Sequence, residues 1–237
     1  MPPKSIASPP PTNGAYQDRI RTQFAALKGM RRFDDLMSAS IRLKDDAGYL
    51  LCVSELHYDD DEIITLLGKW REEAITFHNK FPVTFEGTKR WLRKLLLDIP
   101  DRILFLVLDR HGRPVGHLGF AGALNEEGLM EFDNVVRGVQ KVRPGIMALA
   151  TQAVLAWAQA TFEPRGFYLK TLDNNTHAIQ FYERLGFRRA GQYALRRVQS
   201  GQGFDHVPVP AGDANPPDRY FVRMNYEPGV RLAAPGR

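Results

Sequence analysis

With 237 residues, 43% of them hydrophobic and 25% charged, the chain has the composition of a globular protein, long enough for one domain with extensions and a sizeable core. Its one cysteine, Cys52, rules out an internal disulfide, no apolar stretch nears the ~20 residues that span a bilayer, and the N-terminus lacks a signal-peptide core, so a cytoplasmic protein is expected. The net charge of +5 (pI about 9.4) is scattered among acids with no basic stripe, which disfavours nucleic acid and leaves an anionic small ligand at a local positive site.

Residues 1 to about 14 are rich in proline and serine and read as a loose tail. Residues 15–40 carry Phe24, Leu27 and Leu36 on a weak helical period. Residues 1–39 are therefore expected to be a flexible or partly helical extension, 40–226 the domain, and 227–237 a second tail. Tyr49 to Val53 is a short apolar run of strand type. Asp59, Asp60 and Asp61 then precede Ile63, Leu66, Leu67, Trp70, Ala74 and Phe77, a helical stripe with acids at its N-terminus. Thr84 is a plausible N-cap for a second helix, with Trp91, Leu92, Leu95 and Leu96 on its buried face.

Ile103–Leu108 and Pro114–Phe120, joined by Asp109-Arg110-His111-Gly112, predict a hairpin. Leu129–Val136 predicts a third strand. Met130 and Phe132 alternate there with Glu131 and Asp133, so both carboxylates share one face. A helix from about Gly145 to Phe162 is apolar nearly all round, with a narrow polar stripe near Gln152 and Gln159, and is expected to be mostly buried. Gly166–Leu172 predicts a strand and Thr176–Leu185 a short helix stopped by Gly186. Strand-like Gln192–Val198 and Arg219–Asn225 flank a long Gly/Pro-rich loop, 200–218. The order predicts a mixed α/β sheet with helices packed on it.

Two segments carry chemistry. Gln140-Lys141-Val142-Arg143-Pro144-Gly145-Ile146 lies between a strand and a buried helix. Backbone N–H groups at a helix start, with Lys141 and Arg143 beside them, suit a phosphate; an ordinary strand-to-helix turn explains the same residues. In Asn175-Thr176-His177-Ala178-Ile179-Gln180-Phe181-Tyr182-Glu183-Arg184-Leu185-Gly186-Phe187, either Asn174 or Asn175 can cap a helix whose Ala178, Phe181, Tyr182 and Leu185 share a face.

This second string resembles the C-terminal signature of the GNAT superfamily of N-acetyltransferases. Asn175, Ala178, Tyr182 and Gly186-Phe187 match it in order and spacing. The resemblance covers roughly residues 42 to 226. WREEAITFHNKFPVTFEGTKRWL is similar to the early helices of the ribosomal-protein-acetylating branch, and the stretch from Glu131 to Phe187 to bacterial members that modify amino sugars. What the resemblance implies is a GNAT fold: a twisted, mostly antiparallel sheet with helices on both faces and a V-shaped gap between two splayed parallel strands, Leu129–Val136 and Gly166–Leu172. The pantetheine arm of acetyl-CoA would pair with backbone near Val135 to Val139. Val136, Gln140, Lys141, Val142, Arg143, Gly145, Ile146 and Asn175 would hold the cofactor. The family's phosphate loop follows Gln/Arg-x-x-Gly-x-Gly/Ala. Here Gln140 and Gly145 fit, while Arg143 replaces the first glycine; the reading preferred is a loop whose guanidinium itself binds phosphate, the alternative weakened binding.

The resemblance makes Tyr182 the general acid that protonates the departing thiolate, a task a phenol suits because it is neutral at pH 7. An alkyl ammonium cannot attack a thioester until it loses a proton. Glu131 and Asp133 stand about 7 Å apart by strand rise; Glu131 is the preferred base, acting through water, and Asp133 the preferred site for the cationic amine. Solvated surface acids are the plain alternative for both. His117 reads as a satisfied core histidine, Cys52 as packing, Trp70, Trp91 and Trp157 as helical core residues, and Arg71 as solvated. No histidine or cysteine spacing suits a metal.

The function expected is direct transfer of acetyl from acetyl-CoA to the primary amine of a small molecule, with an amino-sugar nucleotide as the candidate acceptor. The alternatives are acetylation of a protein N-terminus and a non-catalytic acyl-CoA-binding module. No membrane partner is expected, and a homodimer is left open.

Overall fold

The computed structural model describes residues 13–74, 82–210, 212–213 and 215–227. Phe77 of the predicted stripe, and the tails over 1–12 and 228–237, lie outside the described residues. Where one helix is expected over 15–40, two form: α1 (Asn13–Lys28) and α2 (Phe33–Ser38). Tyr16, Ile20, Phe24 and Leu27 recur at steps of four and three, and that stripe is buried. Phe24 meets Phe162 edge-on at 5.5 Å. The Lys28 ammonium at the end of α1 donates to the carbonyls of Leu96 and Ile99 at 3.2 and 2.6 Å, which allows a lysine to be buried there.

Among the described residues the sheet has nine strands: β1 (Ile41–Arg42), β2 (Gly48–Cys52), β3 (Ile103–Asp109), β4 (Pro114–Ala121), β5 (Leu129–Arg137), β6 (Gly166–Leu172), β7 (Phe187–Ser200), β8 (Gly203–Pro208) and β9 (Arg219–Tyr226). Their order across the sheet is β1-β2-β3-β4-β5-β6-β9-β7-β8, and only the β5/β6 pair is parallel. The expected loop 200–218 is corrected in its first half. There β7 runs to Ser200, turns at Gly201 (φ 55) and returns as β8 along six paired positions. The hairpin escaped the sequence because Arg197 to Ser200 are exposed on both faces, so no apolar alternation marks the end of the strand.

Among the described residues three α-helices lie between β2 and β3: α3 (Glu55–Tyr58), α4 (Asp61–Glu73) and α5 (Phe85–Trp91). Asp60 caps α4, accepting from the N–H groups of Glu62 and Ile63 at 3.0 and 3.1 Å, and Thr84 caps α5 through Gly87 N–H at 3.0 Å. The α4 stripe is shifted from the expected one: Ile64, Leu67 and Trp70 are buried, while Ile63 and Leu66 are only partly so. After α5 the chain widens into a π-helical turn over Leu92–Leu97. The wider turn rotates the face, so Leu92, Leu96 and Leu97 are buried and the expected Leu95 is 50% exposed.

Beyond β5 come α6 (Ile146–Phe162) and α7 (Thr176–Arg184). Adjacent residues of β3 reveal the layers. Phe105 packs on Trp157 of α6 at 5.2 Å, while its neighbour Leu106 pairs across to His117, whose ring lies 5.9 Å from Trp70 of α4. Side chains alternate across a strand, so α6 and α4 cover opposite faces. Phe120 pairs with Phe132 on the α6 face, and Tyr182 of α7 sits against Phe132 at 6.2 Å, so α7 shares that face. Gly119 and Ala121 pair with Asp133 and Glu131, which places both carboxylates on the α4 face, as alternation predicts.

Candidate active site

β5 and β6 pair at only three positions, Leu129↔Gly166, Met130↔Phe167 and Glu131↔Tyr168. Beyond these the strands part, and the gap between Phe132–Arg137 and Leu169–Leu172 is the V-shaped fork. On its other side β5 stays laddered to β4, with the N–H groups of Gly138 and Val139 donating to Val115 O at 3.0 and 3.1 Å. The fork edge of β5 therefore offers backbone groups with no strand partner. The divergent stretch of β5 carries a bulge: Asn134 has φ 53, and the β4/β5 register slips between His117 and Gly119.

Two cavities meet at the fork. The larger, about 620 Å³, is bounded by Val135–Arg137 of β5, Gln140 and Arg143 of the loop, the first turn of α6, and Asn175, His177, Phe181 and Arg184 of α7. The smaller, about 100 Å³, lies in the fork itself, between Phe132–Val135 and Lys170–Leu172, with Phe221 beside it. Val135, Asn175 and Tyr182 border both.

Local sequence explains the placement of Tyr182. Asn175 caps α7, its side-chain oxygen accepting from Ala178 N–H at 3.3 Å, and Gly186 ends the helix with φ 101. Within that turn-to-turn frame Ile179 and Tyr182 face inward and are buried, whereas the expected Ala178, Phe181 and Leu185 are only partly so. Rings of Phe132, Phe181 and Phe187 hold the phenol's ring at 6.2, 5.3 and 5.7 Å. Burial, and then the charge of Asp133, push its pKa well above the usual tyrosine range, so the O–H is intact at pH 7.

The two carboxylates differ. Glu131 Oε2 lies 3.1 Å from Lys170 Nζ and accepts from Tyr168 O–H at 3.1 Å; it borders neither cavity. Burial raises its pKa, against the pull of Lys170. Asp133 borders the small cavity, accepts from Asn134 Nδ2 at 2.8 Å and stands 4.0 Å from Arg102. Only Asp133 is brought to Tyr182.

Of the residues expected at the cofactor, Val136, Gln140, Arg143, Gly145, Ile146 and Asn175 border the large cavity, whereas Lys141 and Val142 do not. Gly145 takes φ 81 at the start of α6 with no side-chain cap; Ile146 N–H donates to Arg143 O at 3.3 Å, leaving the N–H groups of Met147 and Ala148 facing the loop. The Arg143 guanidinium donates to Asp45 O at 3.0 Å and lies 3.7 Å from the Asp45 carboxylate, so it spans from the loop to the turn before β2. Arg137, His177 and Arg184 at the large cavity, and Lys170 at the small one, went unnoticed in the sequence. The spacing 177, 181, 184 is a helical stripe that would have revealed the first face of α7; Arg137 and Lys170 carry no local signal.

The remaining expectations are simply placed. Cys52 is buried, with its thiol pushed up to about 12 by burial. Trp70 is buried, and Trp91 and Trp157 partly so. Arg71, expected to be solvated, instead lies over the Trp91 ring at 4.5 Å, and desolvation lowers its pKa to about 10. Among the described residues no helix is long and apolar enough to cross a membrane.

Residues 51–188 match the family model described as "Acetyltransferase (GNAT) domain". Solved structures share the fold at low identity. A GCN5-related N-acetyltransferase from Brucella melitensis is 16% identical, with a TM-score of 0.56 over 84% of this chain and 79% of that one. A probable GNAT-family acetyltransferase from Chromobacterium violaceum is 16% identical, with a TM-score of 0.54 over 95% and 96%. The spermidine/spermine N-acetyltransferase of Vibrio cholerae is 12% identical, with a TM-score of 0.51 over 76% and 91%. No curated protein matches the sequence.

Proposed function

The chain belongs to the GNAT acetyltransferase family, and on that premise we propose that it moves the acetyl group of acetyl-CoA to the primary amine of a small molecule that also carries an anionic group, with an amino-sugar nucleotide as the test case. The observation that carries this reading is the meeting of the two cavities at Tyr182, with Asp133 and Lys170 on opposite walls of the smaller one. The large cavity suits a donor. Its loop and helix start supply N–H groups and cations for phosphates, and the fork edge of β5 supplies backbone partners for an amide-bearing arm.

The donor lies on the α7 face, so its thioester reaches the fork beside Tyr182, and the acceptor approaches from the α4 face. Asp133 holds the ammonium and takes its proton, directly or through water. The free amine then attacks the carbonyl carbon, an N–C bond forms and the C–S bond breaks. Tyr182 offers its O–H to the sulfur as charge grows there. Nitrogen sheds two protons in all: the first passes through Asp133 to solvent, and the second, lost from the tetrahedral adduct, replaces the one that the thiol acquires. Asp133 thus replaces Glu131 as the base in this reading, because Glu131 is held by Lys170 and Tyr168. Lys170 is paired with Glu131, but its side chain is partly exposed at the cavity wall, where the ammonium has further N–H donors for an acceptor with a nearby carboxylate or phosphate.

A panel of amines with thiol-release detection tests this. Amino-sugar nucleotides and amino acids should outrun polyamines and simple alkylamines. A peptide N-terminus acetylated faster than every small amine would move the acceptor to protein. Asp133→Asn should lower kcat/KM for the amine by roughly ten- to a thousandfold with little change in the donor's KM, and Glu131→Gln should cost much less. Equal losses in the two variants would remove Asp133 from its assigned role.

A further inference from the structure

We propose that His117 is a positioning residue for the transfer: its ring holds the carbonyl of Asn134, and that one hydrogen bond sets the course of β5 along the fork. The inference rests on the reading of the fork as the donor's seat. His117 is wholly buried, and its Nδ1 lies 2.7 Å from Asn134 O. A carbonyl oxygen only accepts, so Nδ1 carries the proton and donates. Burial disfavours the charged ring, so it is neutral with its lone pair on Nε2, and Nε2 is buried with no hydrogen-bond partner.

That arrangement has a cost. A buried acceptor left without a donor is rare, and leucine would fill the same space without it. The compensating gain is found at the bulge. Asn134 sits at φ 53, where the β4/β5 register breaks, so its carbonyl falls out of the ladder and would be stranded. His117, on the facing strand, supplies the donor that the ladder cannot. Trp70 braces the far side of the ring at 5.9 Å and also packs on Gly138, where an added Cβ would lie 1.9 Å from the indole. The imidazole is thus clamped between α4 and the bulge, and the residues that follow Asn134, Val135 and Val136, border the donor cavity. His117 touches neither cavity and acts through this backbone.

Three chains are compared: wild type, His117→Leu, which fills the space but cannot donate, and His117→Asn, whose amide nitrogen can take the place of Nδ1. Backbone amide exchange over residues 132–139 is read together with acetyl-CoA affinity and steady-state kinetics. The Leu variant should exchange faster in that segment and lose roughly ten- to a hundredfold in kcat/KM for the donor, the value of one buried hydrogen bond left unmade. The Asn variant should recover most of both. Equal losses in the two variants would reduce His117 to packing and overturn the proposal, as would a Leu variant with unchanged exchange and kinetics. Nitrogen-15 spectra of the wild-type imidazoles hold independently of any variant's folding: a charged ring at pH 7, or a proton on Nε2, overturns it. If the wild type binds no acetyl-CoA, the donor-site reading falls and this role in transfer falls with it, while the exchange data still report whether His117 holds the bulge.

Discussion

Replacing Tyr182 with phenylalanine isolates one atom of the proposed chemistry. The ring contacts to Phe132, Phe181 and Phe187 survive, since they involve carbon only, so stability should change by no more than about 1 kcal/mol. Acetyl-CoA affinity should stay within about threefold. The chemical step should not. A positioned general acid contributes roughly 10²–10⁴-fold. The structure places the expected loss toward the lower end of that range. Burial and the charge of Asp133 make the phenol a weaker acid than a thiol of pKa about 8.5, so complete proton transfer to sulfur is uphill and the O–H acts chiefly by hydrogen bonding to the growing charge. A bound ammonium beside Asp133 removes part of the opposing charge, so the phenol becomes a better donor only once the acceptor is in place. About a hundredfold in kcat, or ~2.7 kcal/mol, is therefore expected. Single-turnover thiol release with acetyl-CoA and the best amine of the panel, alongside calorimetric donor binding, measures both quantities. Turnover that survives the substitution would refute the reasoning, and a chain that no longer binds the donor would show that the hydroxyl serves binding instead.

Two further outcomes follow from the core around the fork. Gly138→Ala drives a methyl to 1.9 Å from the Trp70 indole, an overpacking of about 1–3 kcal/mol that a urea midpoint should report, with a raised donor KM because β5 and its loop shift; Trp70→Phe in the same chain should restore part of both. Acid should weaken the fold early. Burial first, and then the Arg71 charge, hold the His117 pKa down at about 4, against about 6.5 in an unfolded chain. Between those values the unfolded state binds a proton that the native state does not, so stability falls as pH drops from about 6.5 to 4, by ~3 kcal/mol for this group. His57 is lowered by burial and adds in the same direction. Urea midpoints from pH 7 to 4 should show this slope, shallower in His117→Leu; an unchanged slope would remove His117 as its source.

The elements were legible in the sequence wherever a short-range rule governs them. The Asn175 cap, the Gly186 stop, the Thr84 cap and the apolar runs of β3 and β6 all act within a few residues, and all stand where they were read. The failures are those of range. The π turn over Leu92–Leu97 and the exposed β7–β8 arm owe their form to what they pack on or fail to pack on, and neither leaves an apolar period.

The site divides in the same way. By itself the sequence determined that Tyr182 would face inward from a capped helix and that Glu131 and Asp133 would share a face, because helix and strand periods are properties of neighbouring residues. Which of those acids meets the phenol is a matter for the tertiary structure. Glu131 is taken by Lys170 and Tyr168, on a strand reached only after the whole of α6. The Arg143 contact with Asp45 and the His117 grip on Asn134 likewise join segments far apart along the chain or across a ladder. Such pairings depend on register and on where two strands part. No local pattern encodes them, since they exist only once distant chain segments have been brought to hydrogen-bonding distance.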